Sequence, residues 1–395
     1  MLKKSFDRAA VLWLVRGSFV GLLLLAFYFS WSSPVWSRLS AGRPIQGLIL
    51  GCDWVDHSVH TDTMVFFSYN PRSRKLNLLA IPRDTQINLT DTVVGKINQV
   101  YGAVYKKTES EKEAAQSTLN TVSSLLGGID LPFYLQVGYE GFRALIDLVG
   151  GIKVTIGQPM KYDDNWGNLH INFSPGEYLL DGRKSLEYVR YRDERGDLGR
   201  IGRQQRFLRK FLNKFKNPWL VWRLPGMYSL YRKNINTNLS WIDFLGLVYE
   251  VKNLNKDNIQ AQILPGKPSK SGRTSYWLAD AEKVGRAMNL VSSPVVQGLA
   301  EKSALPVQVE VWNASRKSGA ARKAAFLLRR NGFDVIKWGG LERKEGTTSV
   351  IDLRGNFAAA QAIGKVLGTE EVITQIDTNP VVDIIVVIGE DFNIQ

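Results

Sequence analysis

Apolar residues recur along this chain at two periods, one of strands and one of helices. Short apolar runs bounded by turn residues predict strands at 45–50, closed by Gly51, at 63–68 and at Lys75–Ile81, with a turn at Asn70-Pro71 before the last. Helical spacing predicts a helix over 110–126, with Ala115, Leu119, Val122 and Leu126 on one face. A second helix is expected over 140–149, stopped by Gly150-Gly151, and a strand at Ile152–Ile156 follows. The run LEYVRYR (186–192) reads as strand-like, which would set Leu186, Tyr188, Arg190 and Arg192 on one face. A helix over 200–215 comes next. This alternation predicts a layered α/β (α+β) domain over 45–265. Residues 266–275 (GKPSKSGRTS) read as a loop, so 266–304 is expected to be linker and connecting helices. A smaller α/β domain is predicted over 305–391. Its strands fall at 307–312, 333–338, 349–353 and 381–388, with helices at Ala320–Arg330 and Phe357–Leu367.

The N-terminus follows neither period. Residues 17–36 are apolar, uncharged, flanked by aromatics and long enough to cross a bilayer. Lys3, Lys4, Arg8 and Arg16 precede them against Asp7 alone. The predicted order is a cytoplasmic segment 1–16, one transmembrane helix 17–36, a linker 37–44, and the rest outside the plasma membrane. The single cysteine, Cys52, excludes an intramolecular disulfide.

Charge sharpens the picture. The chain carries a net +14, which calls for anionic partners. Residues 183–216 hold twelve Lys/Arg and four Asp/Glu, whereas 305–391 hold eleven of each. The basic character belongs to one segment. On the helix predicted over 200–215, Arg200, Arg203, Gln204, Phe207, Leu208, Phe211, Leu212 and Phe215 form one stripe. Its C-terminal half must be buried, so its arginine end should meet an anion, which a helix N-terminus also favours. Arginine suits phosphate because its planar fork engages two oxygens. The alternative is a solvated basic face paired with lipid headgroups or with Asp193, Glu194 and Asp197. Nucleic acid is disfavoured, because the aromatics lie on the buried stripe and the domain is expected outside the membrane. Arg83-Asp84 follows a strand, where α/β domains bind ligands, and Lys96 is close behind. Asp53 and Asp62 flank the same core edge. They would form either an oxygen site for Mg²⁺ or loop caps and arginine partners. The three histidines lack zinc spacing, and neither a Walker loop nor GxGxxG occurs.

The segments LILGCD (48–53), TDTM (61–64), LLAIPRDT (78–85), GKIN (95–98), GFRALIDLVGGIKV (141–154), YLLDGRKSLEYVRYR (178–192) and DLGRIGRQQRFL (197–208) occur in one order. Together they resemble the LytR-CpsA-Psr family of bacterial cell-envelope proteins. Residues 307–315 and 381–392 resemble the domain appended to LytR-type members. The resemblance implies a central mixed sheet flanked by helices, an N-terminal membrane anchor and an extracytoplasmic catalytic domain. It implies transfer of a phosphoglycan from a polyprenyl-pyrophosphate carrier to a peptidoglycan hydroxyl. Mg²⁺ would sit on Asp53 and Asp62, and pyrophosphate on Arg83, Lys96, Arg190, Arg192, Arg200, Arg203 and Gln204. Asp84 would orient an arginine, and Asp197 would orient Arg200 or assist proton removal. This chain has His60 where the family carries arginine, which alters one phosphate contact. A phosphatase or pyrophosphatase using water, and a non-catalytic wall-polyanion scaffold, are the competing readings.

Overall fold

The computed structural model describes residues 33–393 apart from 56–57, 89–93, 158, 165–168, 192–196, 253, 255–257, 272–273, 293–306, 343, 355, 370 and 375–380. Its first sheet strands are β1 (Ile45–Val55), β2 (Ser58–Asn70) and β3 (Lys75–Ile81). The short pair β4 (Gln86–Asn88) and β5 (Val94–Lys96) follows, then β6 (Phe133–Gly138). Two hairpin-like pairs come next: β7 (Ile152–Ile156) with β10 (Gly176–Leu180), and β8 (Met160–Asp164) with β9 (Leu169–Phe173). Strands β11 (Ile235–Thr237) and β12 (Ile259–Ile263) complete the first half of the sheet in the order β11-β6-β1-β2-β3-β12. It is a mixed sheet: β1 runs parallel to β6 and β3 to β12, while β1, β2 and β3 are antiparallel neighbours.

Helices cover both faces. Leu48, Leu50, Cys52, Met64 and Phe66 point to one face and pack on Tyr101, Ala115, Leu119 and Val122 from helices Asn98–Thr108 and Glu111–Leu125. The second helix starts where expected because the Ser110 hydroxyl accepts from Glu113 N. On the other face Phe67, Tyr69, Leu76, Leu78 and Phe133 pack with Val35 and Leu254. The turn before β3 is held by Asn70 Oδ1, which accepts from the amides of Arg72 and Ser73. Helix Tyr139–Leu148 ends at Gly150 and Gly151, both at positive φ; at Gly151 a Cβ would also lie 2.8 Å from the Leu180 carbonyl.

Three expectations change. The LEYVRYR run is not extended: Gly182–Arg190 is an α-helix. Asp181 caps it through Lys184 N at 2.8 Å, and Gly182, Ser185 and Leu186 are buried at helical spacing. Residues 266–275 form a hairpin of β13 (Gly266–Ser271) and β14 (Thr274–Ala279), and helix Ala281–Ser292 places Val284 and Met288 in the first core. A polar strand gives no hydrophobic period, which hid it. The stretch read as linker, 37–44, opens with helix Pro34–Ser40, whose Ser33 cap and N1 proline are a helix start. Val35 is fully buried against the globular core, so the last residues of the 17–36 span belong to the fold. Residues 17–32 lie outside the described residues. No helix among the described residues is long and apolar enough to cross a membrane.

The C-terminal unit is formed by β15 (Gln308–Asn313), β16 (Asp334–Gly340), β17 (Ser349–Asp352), β18 (Val372–Thr374) and β19 (Ile384–Ile388), with helices Ala320–Arg330 and Phe357–Leu367 on a separate core. Both helices match the predicted bounds. Strand β18 escaped the pattern, being three residues long. It joins the two halves into one sheet through the pair Gln262–Thr374.

Candidate active site

Strand directions bring the site residues to one end of the sheet. Strands β6 and β1 are parallel, so Gly138 and Cys52, a ladder pair, lie together. The antiparallel turn from β1 to β2 sets Asp53 opposite His60, and Met64 pairs with Ile81 at the end of β3. Tyr139, Asp53, Asp62 and Arg83-Asp84 therefore follow or flank four adjacent strands at the same end. At ~4.8 Å per strand they span roughly 15 Å. This is the carboxyl end of β1, β3 and β6, where α/β sheets take ligands.

The β1–β2 ladder slips there. Gly51 pairs with Thr63 and Cys52 with Thr61, leaving Asp62 as the extra, unpaired residue of a bulge. A bulge re-aims a side chain out of the regular pleat. Asp62 Oδ1 meets Arg83 Nη1 at 2.8 Å, and Asp84 Oδ1 meets Lys96 Nζ at 2.7 Å. All four side chains remain between 23 and 31% exposed, so the charges are fixed but reachable. The loop that carries them is built on buried Thr85. Its amide and hydroxyl donate to the Pro82 carbonyl, and its own carbonyl accepts from Ile97 N. Asn98 N donates to the Arg83 carbonyl, Trp277 N to that of Asp84, and Thr61 Oγ1 to that of Asn98. Asn98 Oδ1 is buried with no hydrogen-bond partner among the described residues.

The basic segment divides. The Arg190 guanidinium stacks 4.7 Å over the Tyr139 ring, at the start of the helix that follows β6. Arg203 is 4% exposed and donates through Nη1 to the Tyr191 carbonyl at 2.6 Å, while Gln204 Nε2 donates to the Val189 carbonyl. These two side chains brace the segment that leaves helix Gly182–Arg190. Phe207 of helix Asp197–Lys214 and Phe215 just beyond it are buried, with Phe207 beside Phe142 and Tyr188. Arg192 lies outside the described residues, as do the side chains of Asp53, His60, Asp197 and Arg200.

A polar cleft of about 600 Å³ adjoins this end of the sheet. Cys52, Gln136, Tyr139, Glu111, Arg232 and Asn236 are among its walls. Gln136 Oε1 accepts from both Tyr101 Oη and Asn236 Nδ2, which orients the amide. Burial, then the nearby Cys52 and Glu111, push the Tyr101 hydroxyl far above its ordinary pKa, so it stays a donor.

Tyr139, Thr85, Tyr276 and Gln136 did not stand out in the sequence. Tyr276, beneath Lys96 at 5.8 Å, sits on β14, within the stretch expected to be linker and connecting helices. The available signal was position: Tyr139 and Gln136 bracket the carboxyl end of a buried strand. A metal would find hard oxygen donors here in Asp62 and, by ladder position, Asp53; Asn98, whose amide donates to the Arg83 carbonyl, also carries a buried side-chain oxygen with no hydrogen-bond partner among the described residues. Among the described residues no cluster of three or more His, Cys, Asp or Glu forms a larger metal site.

Comparison with known proteins places the chain in a family. Teichoic acid transferase TagU of Bacillus subtilis (polyisoprenyl-teichoic acid–peptidoglycan teichoic acid transferase) is 29% identical over 241 residues, 60% of this chain and 73% of its own. TagV of the same organism is 27% identical over 58% of this chain and 59% of its own. Among solved structures, B. subtilis TagV superposes with a TM-score of 0.53 at 24% identity, covering 63% of this chain and 97% of that one. Protein gbs0355 of Streptococcus agalactiae gives 0.55 at 24%, covering 64% and 88%. Residues 306–392 match the domain described as LytR cell envelope-related transcriptional attenuator. Residues 32–292 match the LytR_cpsA_psr family, and this chain belongs to it.

Proposed function

We propose that this protein transfers a phosphoglycan from a polyprenyl-pyrophosphate carrier to a peptidoglycan hydroxyl and releases polyprenyl phosphate. The observation that carries the reading is the pair of fixed, reachable ion pairs, Asp62–Arg83 and Asp84–Lys96, at the carboxyl end of the sheet beside Arg190. Phosphoryl transfer asks for positioning and charge stabilisation more than for a protein nucleophile. The acceptor oxygen attacks the sugar-proximal phosphorus, and the bond to the lipid phosphate breaks. Arg83, Lys96 and Arg190 neutralise charge on the phosphate oxygens, with Arg192, Arg200, Arg203 and Gln204 completing or positioning the set. Asp84 holds Lys96 in place, and Asp197 is the candidate to take the acceptor proton. Asp53 and Asp62 would hold Mg²⁺, which when bound supplies charge neutralisation to a diphosphate. The prenyl chain has an apolar surface available: Ile49, Val65, Leu135, Leu208, Leu212 and Leu247 are only partly buried on the face opposite the first core. The cleft lined by Gln136, Asn236 and Glu111 suits a hydroxyl-rich saccharide. The apolar N-terminal span anchors the chain, with the catalytic domain outside the plasma membrane.

The test is product analysis with a polyprenyl-pyrophosphate glycan donor, with and without peptidoglycan oligosaccharide. Arg83→Ala should cut transfer by ~100-fold or more, and Asp62→Ala should weaken the Mg²⁺ dependence. Full transfer by Arg83→Ala overturns the site. Glycan phosphate released at the same rate without acceptor overturns the transferase reading in favour of hydrolysis.

A further inference from the structure

From Leu198 to Ile242 the chain carries ten Lys or Arg and not one Asp or Glu. Helix Asp197–Lys214 uses only the first part of that run. The remainder enters a 3₁₀ turn, Pro218–Arg223, and helix Leu224–Asn234. Trp219 and Trp222 on the turn are 71% and 77% exposed, and Tyr228 on the helix is 47% exposed. Lys216 and Arg223 flank the turn and stand exposed, while Met227 and Leu230 anchor the helix to the core. Large aromatic rings left in water beside cations, with no anion in the segment, form an amphipathic surface that lacks its partner.

The position of this surface identifies the partner. Tyr228 and Tyr231 each pack 5.3 Å from the Trp241 ring, which stacks on Phe244. Trp241 opens helix Trp241–Lys252, whose buried Asp243 accepts from Ser33 Oγ and from Val35 N. Gly246 of the same helix lies against the Trp36 indole. An aromatic cluster of Tyr228, Tyr231, Trp241 and Phe244 therefore links the exposed helix to the segment Ser33–Trp36, where the chain leaves its apolar N-terminal run. At its other end, helix Leu224–Asn234 contributes Arg232, Lys233 and Asn234 to the polar cleft.

We infer that the Trp219–Trp222–Tyr228 surface rests in the headgroup layer of an anionic bilayer, at the end of the sheet where the N-terminal run joins the fold. Tryptophan and tyrosine favour the interface because their rings are apolar with one polar tip. The flanking Lys216 and Arg223 are drawn to anionic lipid. A protein partner would need an acidic apolar patch at the same height above the membrane; the bilayer is already there. The inference rests on the membrane-anchor reading above. It adds a second membrane contact, which fixes how the domain is turned on the bilayer.

The test uses the full chain in vesicles of phosphatidylglycerol and phosphatidylethanolamine, with and without brominated acyl chains that quench indole fluorescence. Wild type is compared with W219F/W222F, which keeps the aromatic character. Fractional quenching should fall in the variant, and the difference should shrink when phosphatidylcholine replaces phosphatidylglycerol or when K216E/R223E is introduced. Unchanged or higher fractional quenching in W219F/W222F, with the chain still resistant to alkaline carbonate extraction, overturns the inference and leaves the anchor standing. Extraction by carbonate overturns the anchor reading and removes the premise of the inference with it. A difference that follows protein density and not lipid composition overturns the inference in favour of self-association.

Discussion

Two aspartates of this chain, Asp62 and Asp243, hold their charges in opposite ways. Asp243 is 2% exposed. It is satisfied entirely by uncharged donors: Ser33 Oγ and Val35 N on one oxygen, Ser240 N and Oγ on the other. It also sits in the first turn of its helix, where a negative charge is favoured. Asp62 is displaced by a bulge, a third exposed, and matched to one arginine that is itself reachable. A carboxylate that ties structure together is dehydrated and saturated. One placed to meet a ligand keeps solvent access and a reachable countercharge. The same contrast separates Arg203, buried on a backbone carbonyl, from Arg83.

The sharpest way to break this comparison is Asp243→Ala. It strands several buried donors and should cost about 3 kcal/mol of stability, read from urea unfolding midpoints. A loss no larger than that of Asp62→Ala would erase the distinction. Next comes the arginine pair. Arg203→Ala should cost about 2 kcal/mol through the orphaned Tyr191 carbonyl and lost packing. Arg83→Ala should stay within about 1 kcal/mol because its ion pair is partly solvated, even though it is the variant expected to lose transfer.

The smallest effect is at Glu187. Burial pushes its carboxyl above the ordinary carboxylate range, against the pull of Arg183 and with the repulsion of Asp181. The folded state then holds the proton more tightly than the unfolded chain. Its contribution to stability is complete below the unfolded value, about 4.3, and is lost as pH rises through the raised folded value. Glu187→Gln should remove that slope and leave the protein a few tenths of a kcal/mol (~0.3) more stable at neutral pH. Unfolding midpoints compared at pH 4 and pH 7 check it.

Much of this was visible in the residues themselves. Strand Lys75–Ile81 and helices Ala320–Arg330 and Phe357–Leu367 have the bounds predicted, because the strand is an apolar run buried on both faces, each helix buries one regular face, and all end on turn chemistry. The run 186–192 misled because a seven-residue window accommodates both periods, and the Asp181 cap that settles the matter lies outside it. Hairpin β13–β14 was hidden because Gly266–Ser271 contains no large apolar residue; its register comes from Trp277 and Leu278 across the ladder. In the site, Arg83, Asp84, Lys96, Asp62 and Arg190 were legible as chemistry. That Tyr139 would underlie Arg190, or that Arg203 would turn to a carbonyl, was not.

The sequence by itself determined most element types, the concentration of positive charge in one segment and the family motifs. These depend on local periodicity and on residue identity, which a linear reading contains. Only the tertiary structure decided which charges are partners. Pairing depends on strand direction and on the one-residue bulge at Asp62, and a shift of a single residue in a ladder turns a side chain to the opposite face. It also separated the arginines that brace the fold from those that stay open to a ligand, because burial is set by elements distant along the chain.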